Sequence, residues 1–238
     1  MTRQYLLYAA NTMEQSQTIS SASKIAFSPQ EAKYRLVEEA FITPEECLPL
    51  IELVDAYGKV GDGYSGNPHP HTESEVFGGY SFDGLQNMAQ QTLPGHMEAL
   101  AIMKKAQERL KSHFGLPFLW LDFGHLVFRY PTEDSPVLEQ EEFSHPWHFD
   151  DMHFKRRTHT AILYLNDEFE GGNTCFQETD FGPFREIQPQ PGKLAAFDVA
   201  KNSHGVTKLR RGKRYVLNMW FSTHWRLFNH HRKIFGPL

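Results

Sequence analysis

The sequence predicts a mainly β protein with supporting α-helices, its strands folded into a double-sheet jelly roll. Three observations carry that expectation. From residue 120 onward, short apolar runs alternate with Gly, Pro, Asn and Asp, the pattern of many short strands joined by turns. Upstream of them, two stretches repeat apolar residues at helical spacing. Finally, a His-x-Asp pair, His148 and Asp150, stands among the strand segments, and a later segment opens on His204.

Taken in order, the 238 residues divide into a loosely held arm over 1–32, a helical support region over 33–118, a β core over 119–222 and a tail over 223–238, together one compact domain. The arm is rich in Ser, Thr and Gln from Thr12 to Ser23, with an edge strand expected near Tyr5-Leu-Leu-Tyr8. Another strand is expected from Lys33 to Glu39, where the alternation is imperfect. Thr43-Pro-Glu-Glu46 starts a helix. Thr43 caps it, Pro44 suits the first helical position, and the acids favour the positive end of the dipole. Leu50, Leu53, Val54 and Tyr57 follow at helical spacing and Gly58 ends the run. Pro49 is expected to bend this helix or delay its start. The Gly/Asn/Pro segment from Gly61 to Pro70 reads as a loop, and His69, His71 and Glu73 read as solvated residues in preference to a second metal site. A second helix is expected from Met97 to Phe114, stopped by Gly115-Leu-Pro117. Both helices are expected to buttress one face of a sheet.

His125-Leu-Val-Phe-Arg-Tyr130 is the first clear strand, and an acidic connection follows from Pro131 to Phe143. Further strands are expected near 146–149, 158–166, 173–177, 183–188, 193–198, 204–207 and 214–222. In the tail, Trp225, Phe228 and Phe235 suggest a terminal helix packed on the core.

A net charge of −5 excludes nucleic-acid binding by bulk electrostatics, and 40% apolar content is ordinary for a globular chain. Cys47 and Cys175 do not make a disulfide framework and read as reduced, buried thiols. No stretch reads as a signal peptide, membrane span or retention tetrapeptide, so a cytoplasmic location, away from membranes, is expected.

The chemistry lies in His148, Asp150 and His204. Two imidazoles and one carboxylate are the ligand set that holds non-haem Fe(II) while leaving coordination positions open. Period-two alternation returns Asp150 to the same face as His148, which favours it over Asp151. His145 is expected to line the cleft; His153 and His159 read as polar surface or supporting residues. Arg214 offers a fixed, charged fork for a carboxylate. Counting by two from it gives Val216, Asn218 and Trp220 on one face, so the fork is expected to look inward, although it also belongs to a basic run that could be surface. Trp147 and Trp220 are expected as apolar walls that keep water out.

With Thr160-Ala-Ile-Leu-Tyr-Leu165, Gly171-Gly172, Pro191-Gly192, His204-Gly-Val206 and Gly212-Lys-Arg-Tyr215 in this order, the chain resembles the 2-oxoglutarate- and Fe(II)-dependent oxygenases of the prolyl-hydroxylase type. Gly61-Asp-Gly-Tyr-Ser-Gly66, Pro70-His-Thr72, His125-Leu-Val127, Ser144-His-Pro-Trp-His148 and Leu165-Asn-Asp-Glu-Phe-Glu-Gly-Gly172 look like the catalytic domain of the leprecan prolyl 3-hydroxylases, over roughly residues 58 to 222. The resemblance implies a double-stranded β-helix core, Fe(II) on His148, Asp150 and His204, and 2-oxoglutarate and dioxygen as co-substrates, with ascorbate as a reductant. It implies that Arg214 anchors the far carboxylate of 2-oxoglutarate and that Tyr164 supports it, while from sequence alone Tyr164 reads equally well as a core aromatic. It places Tyr130 near the co-substrate, and Thr160 and Asn218 as further polar donors. The reaction implied is hydroxylation of a prolyl residue in a peptide or protein, 3-hydroxylation favoured. Free proline or another small amino acid is the second reading, and an inactive jelly-roll binding module the third.

Overall fold

The computed structural model describes residues 27–61, 75–82, 92–132, 143–152, 154–178, 184–227 and 231–232. The expected Tyr5–Tyr8 strand, the loop with His69, His71 and Glu73, most of the acidic connection, His153, Phe228 and Phe235 lie outside them. In chain order the strands are β1 (Arg35–Glu38), β2 (Lys59–Val60), β3 (Glu75–Phe82), β4 (Trp120–Pro131), β5 (Phe143–His148), β6 (His159–Tyr164), β7 (Phe169–Glu170), β8 (Thr174–Gln177), β9 (Phe184–Ile187), β10 (Leu194–Asp198), β11 (His204–Thr207), β12 (Arg211–Gly212) and β13 (Arg214–Ser222). The helices are α1 (Pro44–Tyr57) and α2 (His96–Phe114). No helix among the described residues is long and apolar enough to cross a membrane.

Helix α1 starts as its sequence dictates. Thr43 accepts from the Glu46 backbone N–H, and the Glu46 side chain returns the bond to the Thr43 N–H. The helix runs on through Pro49, which sits early enough to forfeit a single intrahelical bond. Thr43→Ala should lower stability by about 1 kcal/mol. A urea midpoint equal to that of the parent would show that the cap contributes nothing. Helix α2 ends on Gly115, at φ +64, whose N–H reaches the Lys111 carbonyl.

A seven-stranded antiparallel sheet runs in the order β1-β10-β6-β13-β4-β3-β2, and a four-stranded sheet in the order β5-β11-β8-β9 faces it. This is a jelly roll with two cores. Leu50, Leu53 and Val54 of α1 and Met103 and Leu110 of α2 pack on Phe82, Leu126, Leu163, Leu217 and Met219 of the large sheet. Val127, Ile162, Tyr164 and Val216 turn the other way and meet Phe176 and Ile187 of the small sheet. Period-two alternation along β4, β6 and β13 therefore assigns each residue to one core or the other. Each fully buried Leu or Phe contributes about 1.5–3 kcal/mol of apolar transfer.

Several boundaries differ from the sequence expectation. Strand β3 was not expected, nor were the two-residue strands β2, β7 and β12. Its Gly78-Gly79 pair hides the alternation, yet the glycines are what allow it to pair with β4. A Cβ at Gly78 would lie 2.2 Å from Phe128 Cζ, and one at Gly79 2.4 Å from His125 Nε2. The region over 33–118 thus supplies three strands as well as both helices. Tyr57 is exposed, and the described tail begins with a short 3-10 turn at Trp225–Leu227 whose Trp225 stays 71% exposed. The expected packing of Trp225 on the core is therefore corrected: its ring stays largely exposed.

Two core histidines sit on the helix side. His96 Nδ1 meets the Tyr80 hydroxyl at 2.8 Å, and the His159 ring lies 4.9 Å from that of Phe114, so His159 is not a surface residue. Burial lowers both pKa values from an unfolded value of 6.5. The unfolded chain then binds protons that the folded one refuses. Their contribution to stability is complete above pH 6.5 and is lost as the pH falls through the lowered values. The urea midpoint should be lower at pH 5.5 than at pH 7.5 in the parent and less pH-dependent in a His96→Gln variant; an identical pH dependence in that variant would remove His96 from this account.

Candidate metal centre

Strand β5 ends on His148, and β11 begins on His204 directly across from it. Asp150 follows two residues after β5, and the three side chains offer ligand atoms that all lie within 4.8 Å of one another. Among the described residues this is the one group of three or more His, Cys, Asp or Glu that converges so.

The hydrogen bonds around the group fix which atoms face inward. His148 Nδ1 lies 2.8 Å from the Pro146 carbonyl, and His204 Nδ1 lies 3.3 Å from the Asn202 carbonyl. A carbonyl only accepts, so each Nδ1 carries a proton and Nε2 is the ring atom turned to Asp150. Burial opposes protonation of His148, but the Asp150 carboxylate and the Pro146 carbonyl raise its pKa above the ordinary value. Those two Nε2 atoms stand 3.5 Å and 3.8 Å from Asp150 Oδ1. The other oxygen, Oδ2, accepts from Thr160 Oγ1 at 2.5 Å and from Trp220 Nε1 at 3.0 Å. Two imidazole Nε2 atoms and one carboxylate oxygen thus converge on a common point, with every opposite atom tied to the protein. Burial pushes His204 down to about 4, which keeps it neutral. Burial works against ionisation of Asp150, but the imidazoles of His204 and His148 beside it and the hydroxyl of Thr160 outweigh it and hold the acid well below the usual carboxylate range. Two imidazoles and one ionised carboxylate are a donor set that fits a divalent ion such as Fe(II).

Arg214 lies on the same face of β13 as Val216, and is 4% exposed. Gly172, at φ +66, makes room for it, since a Cβ there would stand 2.9 Å from Arg214 Cδ. Burial pulls the Arg214 pKa down to about 10, so it remains charged at neutral pH. Its Nε, the Tyr164 hydroxyl and the Thr174 hydroxyl are all buried without a hydrogen-bond partner. Arg214 Cζ lies 5.7 Å from the centre of the Tyr164 ring, so the guanidinium and the phenol share one buried space. A buried cation and two waiting hydroxyls fit a carboxylate. Arg129, across from Arg214 on β4, does not compete for that role. It is spent on Glu75, which also accepts from the Leu209 N–H, and on the Ser144 hydroxyl.

The structure therefore brings His148, Asp150 and His204 together, and it places Arg214 and Tyr164 together in a second buried polar group. Asn218 is half-buried on the face that Arg214 shares, across from His125. Other expectations need correction. Tyr130 is not near this face: it stacks with Phe128 at 6.2 Å and packs against the helix-side core, because on β4 it alternates with Arg129. Thr160 bonds the Asp150 carboxylate, which makes it a support for that acid. Trp220 is no mere apolar wall, since its indole N–H reaches the same oxygen. Trp147 packs with Phe143 and Phe184 instead of walling the triad. Asp151 lies outside the group and forms a 3.8 Å pair with Lys155. His145 stacks on His148 with ring centres 4.4 Å apart. Thr174 was missed; the signal was its place just after Gly171-Gly172, opposite Val206 of β11.

Residues 136–222 match the family model described as the 2OG-Fe(II) oxygenase superfamily. Over 208 residues, 79% of this chain, the sequence is 33% identical to prolyl 3-hydroxylase 1 of Mus musculus and 29% identical to prolyl 3-hydroxylase 2 of Homo sapiens. The chain spans under a third of the length of these relatives, 28% and 29% of them. Among solved structures, a Pseudomonas putida prolyl-4-hydroxylase superposes with a TM-score of 0.56 at 18% identity, covering 80% of this chain and 92% of that one. A prolyl hydroxylase from Trichoplax adhaerens, solved with a hypoxia inducible factor peptide fragment, gives 0.56 at 12% identity over 84% of this chain and 94% of its own. At these identities the likeness is one of fold.

Proposed function

Because this chain carries a 2OG-Fe(II) oxygenase domain, we propose that it is an Fe(II)- and 2-oxoglutarate-dependent dioxygenase that hydroxylates prolyl residues of a peptide or protein, at C3. The observation that carries the reading is the convergence of His148 Nε2, His204 Nε2 and Asp150 Oδ1. These three would hold the iron, and Arg214, Tyr164 and Thr174 would hold the far carboxylate of 2-oxoglutarate. When bound, the metal and the oxo acid supply the oxidising power that places one atom of dioxygen into a C–H bond.

The remaining work belongs to the chain. Thr160 and Trp220 keep Asp150 ionised and oriented. The Pro146 and Asn202 carbonyls hold both imidazoles in the liganding tautomer. Val127, Ile162, Val216 and Phe197 keep the interior between the sheets dry. Phe149, Met152 and Phe154, exposed beside the triad, offer an apolar surface to a pyrrolidine ring. The 3-position is favoured because the relatives that align over most of this chain carry that chemistry in their names.

Incubation of the purified protein with Fe(II), labelled 2-oxoglutarate, and a panel of proline peptides and free amino acids tests this. Succinate release coupled to a gain of one oxygen on a peptidyl proline is expected. Turnover with free amino acids alone would move the substrate to a small molecule, and no 2-oxoglutarate-dependent turnover with any substrate would end the proposal.

A further inference from the structure

Behind Asp150 runs a line of contacts that ends at a buried acid on β4. Asp150 Oδ2 accepts the Trp220 indole N–H at 3.0 Å. Over the Trp220 ring lies the Arg157 guanidinium, with Cζ 4.5 Å from the ring centre, and the same Cζ is 4.1 Å from the centre of the Phe154 ring. Arg157 Nε donates to Asp122 Oδ2 at 3.3 Å, while Arg156 Nε donates to Oδ1 of the same carboxylate at 2.8 Å.

The single negative charge of Asp122 is thus already met by Arg156, whose side chain is 54% exposed. Arg157 is the buried partner, with 11% of its side chain exposed. Arg157 also lies within the field of the Asp150 carboxylate, so the buried cation answers to both acids, and it makes a contact that Arg156 does not. That contact is the stack on Phe154 and Trp220. An indole turns about two side-chain bonds, and its N–H meets a carboxylate oxygen only in a narrow range of orientations.

We propose that Arg157, clamped by Asp122, is a positioning residue for the metal centre. It holds the plane of Trp220 so that the indole N–H fixes Asp150 Oδ2 and leaves Oδ1 turned towards His148 and His204. This rests on the reading of those three residues as metal ligands.

Co(II) binding to the metal-stripped protein, read from the visible absorption of the bound ion, tests the proposal without oxo acid or substrate present. Arg157→Gln should weaken Co(II) binding about tenfold, as should Trp220→Phe, which keeps an aromatic ring and removes the N–H. Because the two act in series, the double variant should bind no more weakly than Trp220→Phe alone. Unchanged affinity in Arg157→Gln, or losses that multiply in the double variant, would overturn the proposal. If Arg157→Gln does not fold, Asp122→Asn replaces it, releasing the clamp with Arg157 in place; severalfold weaker binding is expected and unchanged binding overturns it. Failure of the parent protein itself to bind Co(II) would instead remove the metal-site reading on which the proposal stands.

Discussion

Asp150→Ala should abolish turnover and remove most of the affinity for a divalent metal, while Asp151→Ala should leave both intact. The contrast follows from where the two acids point. Asp150 sends Oδ1 to the two free imidazole nitrogens and ties Oδ2 to Thr160 and Trp220. Asp151 is partly exposed and pairs with Lys155 at 3.8 Å. Loss of a residue that merely supports a ligand costs about 10–100-fold in metal affinity, so loss of the ligand should exceed about 100-fold. The substitution also strips two donors of their acceptor, yet the strands that carry them are set by apolar cores. The variant should therefore still fold, as circular dichroism would check. A Co(II) titration and succinate release decide the matter. Retained metal affinity in Asp150→Ala, or its loss in Asp151→Ala, would transfer the ligand role.

Why was so much of this site readable in the linear sequence, and why did other parts stay hidden? Strand alternation is local, and it turned Arg214 inward with Val216; Asp150, in the turn just past the end of β5, still comes beside His148. The same rule, applied across β4, would have sent Tyr130 to the helix side, where it stacks on Phe128. It was assigned by resemblance, not by counting from Val127. Thr160 and Trp220 were both expected near the centre, but their common target, Asp150 Oδ2, depends on how β6 and β13 pair. Pairing is a long-range property that a single strand does not encode. Strand β3 escaped for a related reason: Gly78 and Gly79 carry no apolar signal, and their value appears only when Phe128 and His125 of β4 lie over them. Helix α1, whose capping box is spelled out within four residues, needed no such partner.

Arg214→Met should raise the KM for 2-oxoglutarate steeply and at the same time stabilise the ligand-free protein. A hydrogen bond to a charged group contributes about 1.5–3 kcal/mol. Two parallel bonds from one guanidinium to one carboxylate amount to about 3–6 kcal/mol, or two to four orders of magnitude in affinity. The stability effect has the opposite sign. Arg214 is buried, its Nε has no partner, and the hydroxyls of Tyr164 and Thr174 beside it are also unpaired. The nearby acid Glu75 is already held by Arg129. Replacing an incompletely compensated buried charge by an apolar side chain of similar length gains about 1–4 kcal/mol. Urea unfolding without 2-oxoglutarate reads the gain, and succinate release against 2-oxoglutarate concentration reads the KM. The divergence is the informative part. An arginine that served only the fold would, on removal, lower stability and leave the KM unchanged. An arginine kept for a dicarboxylic co-substrate burdens the protein until that acid arrives, and its replacement should move the two measurements in contrary directions.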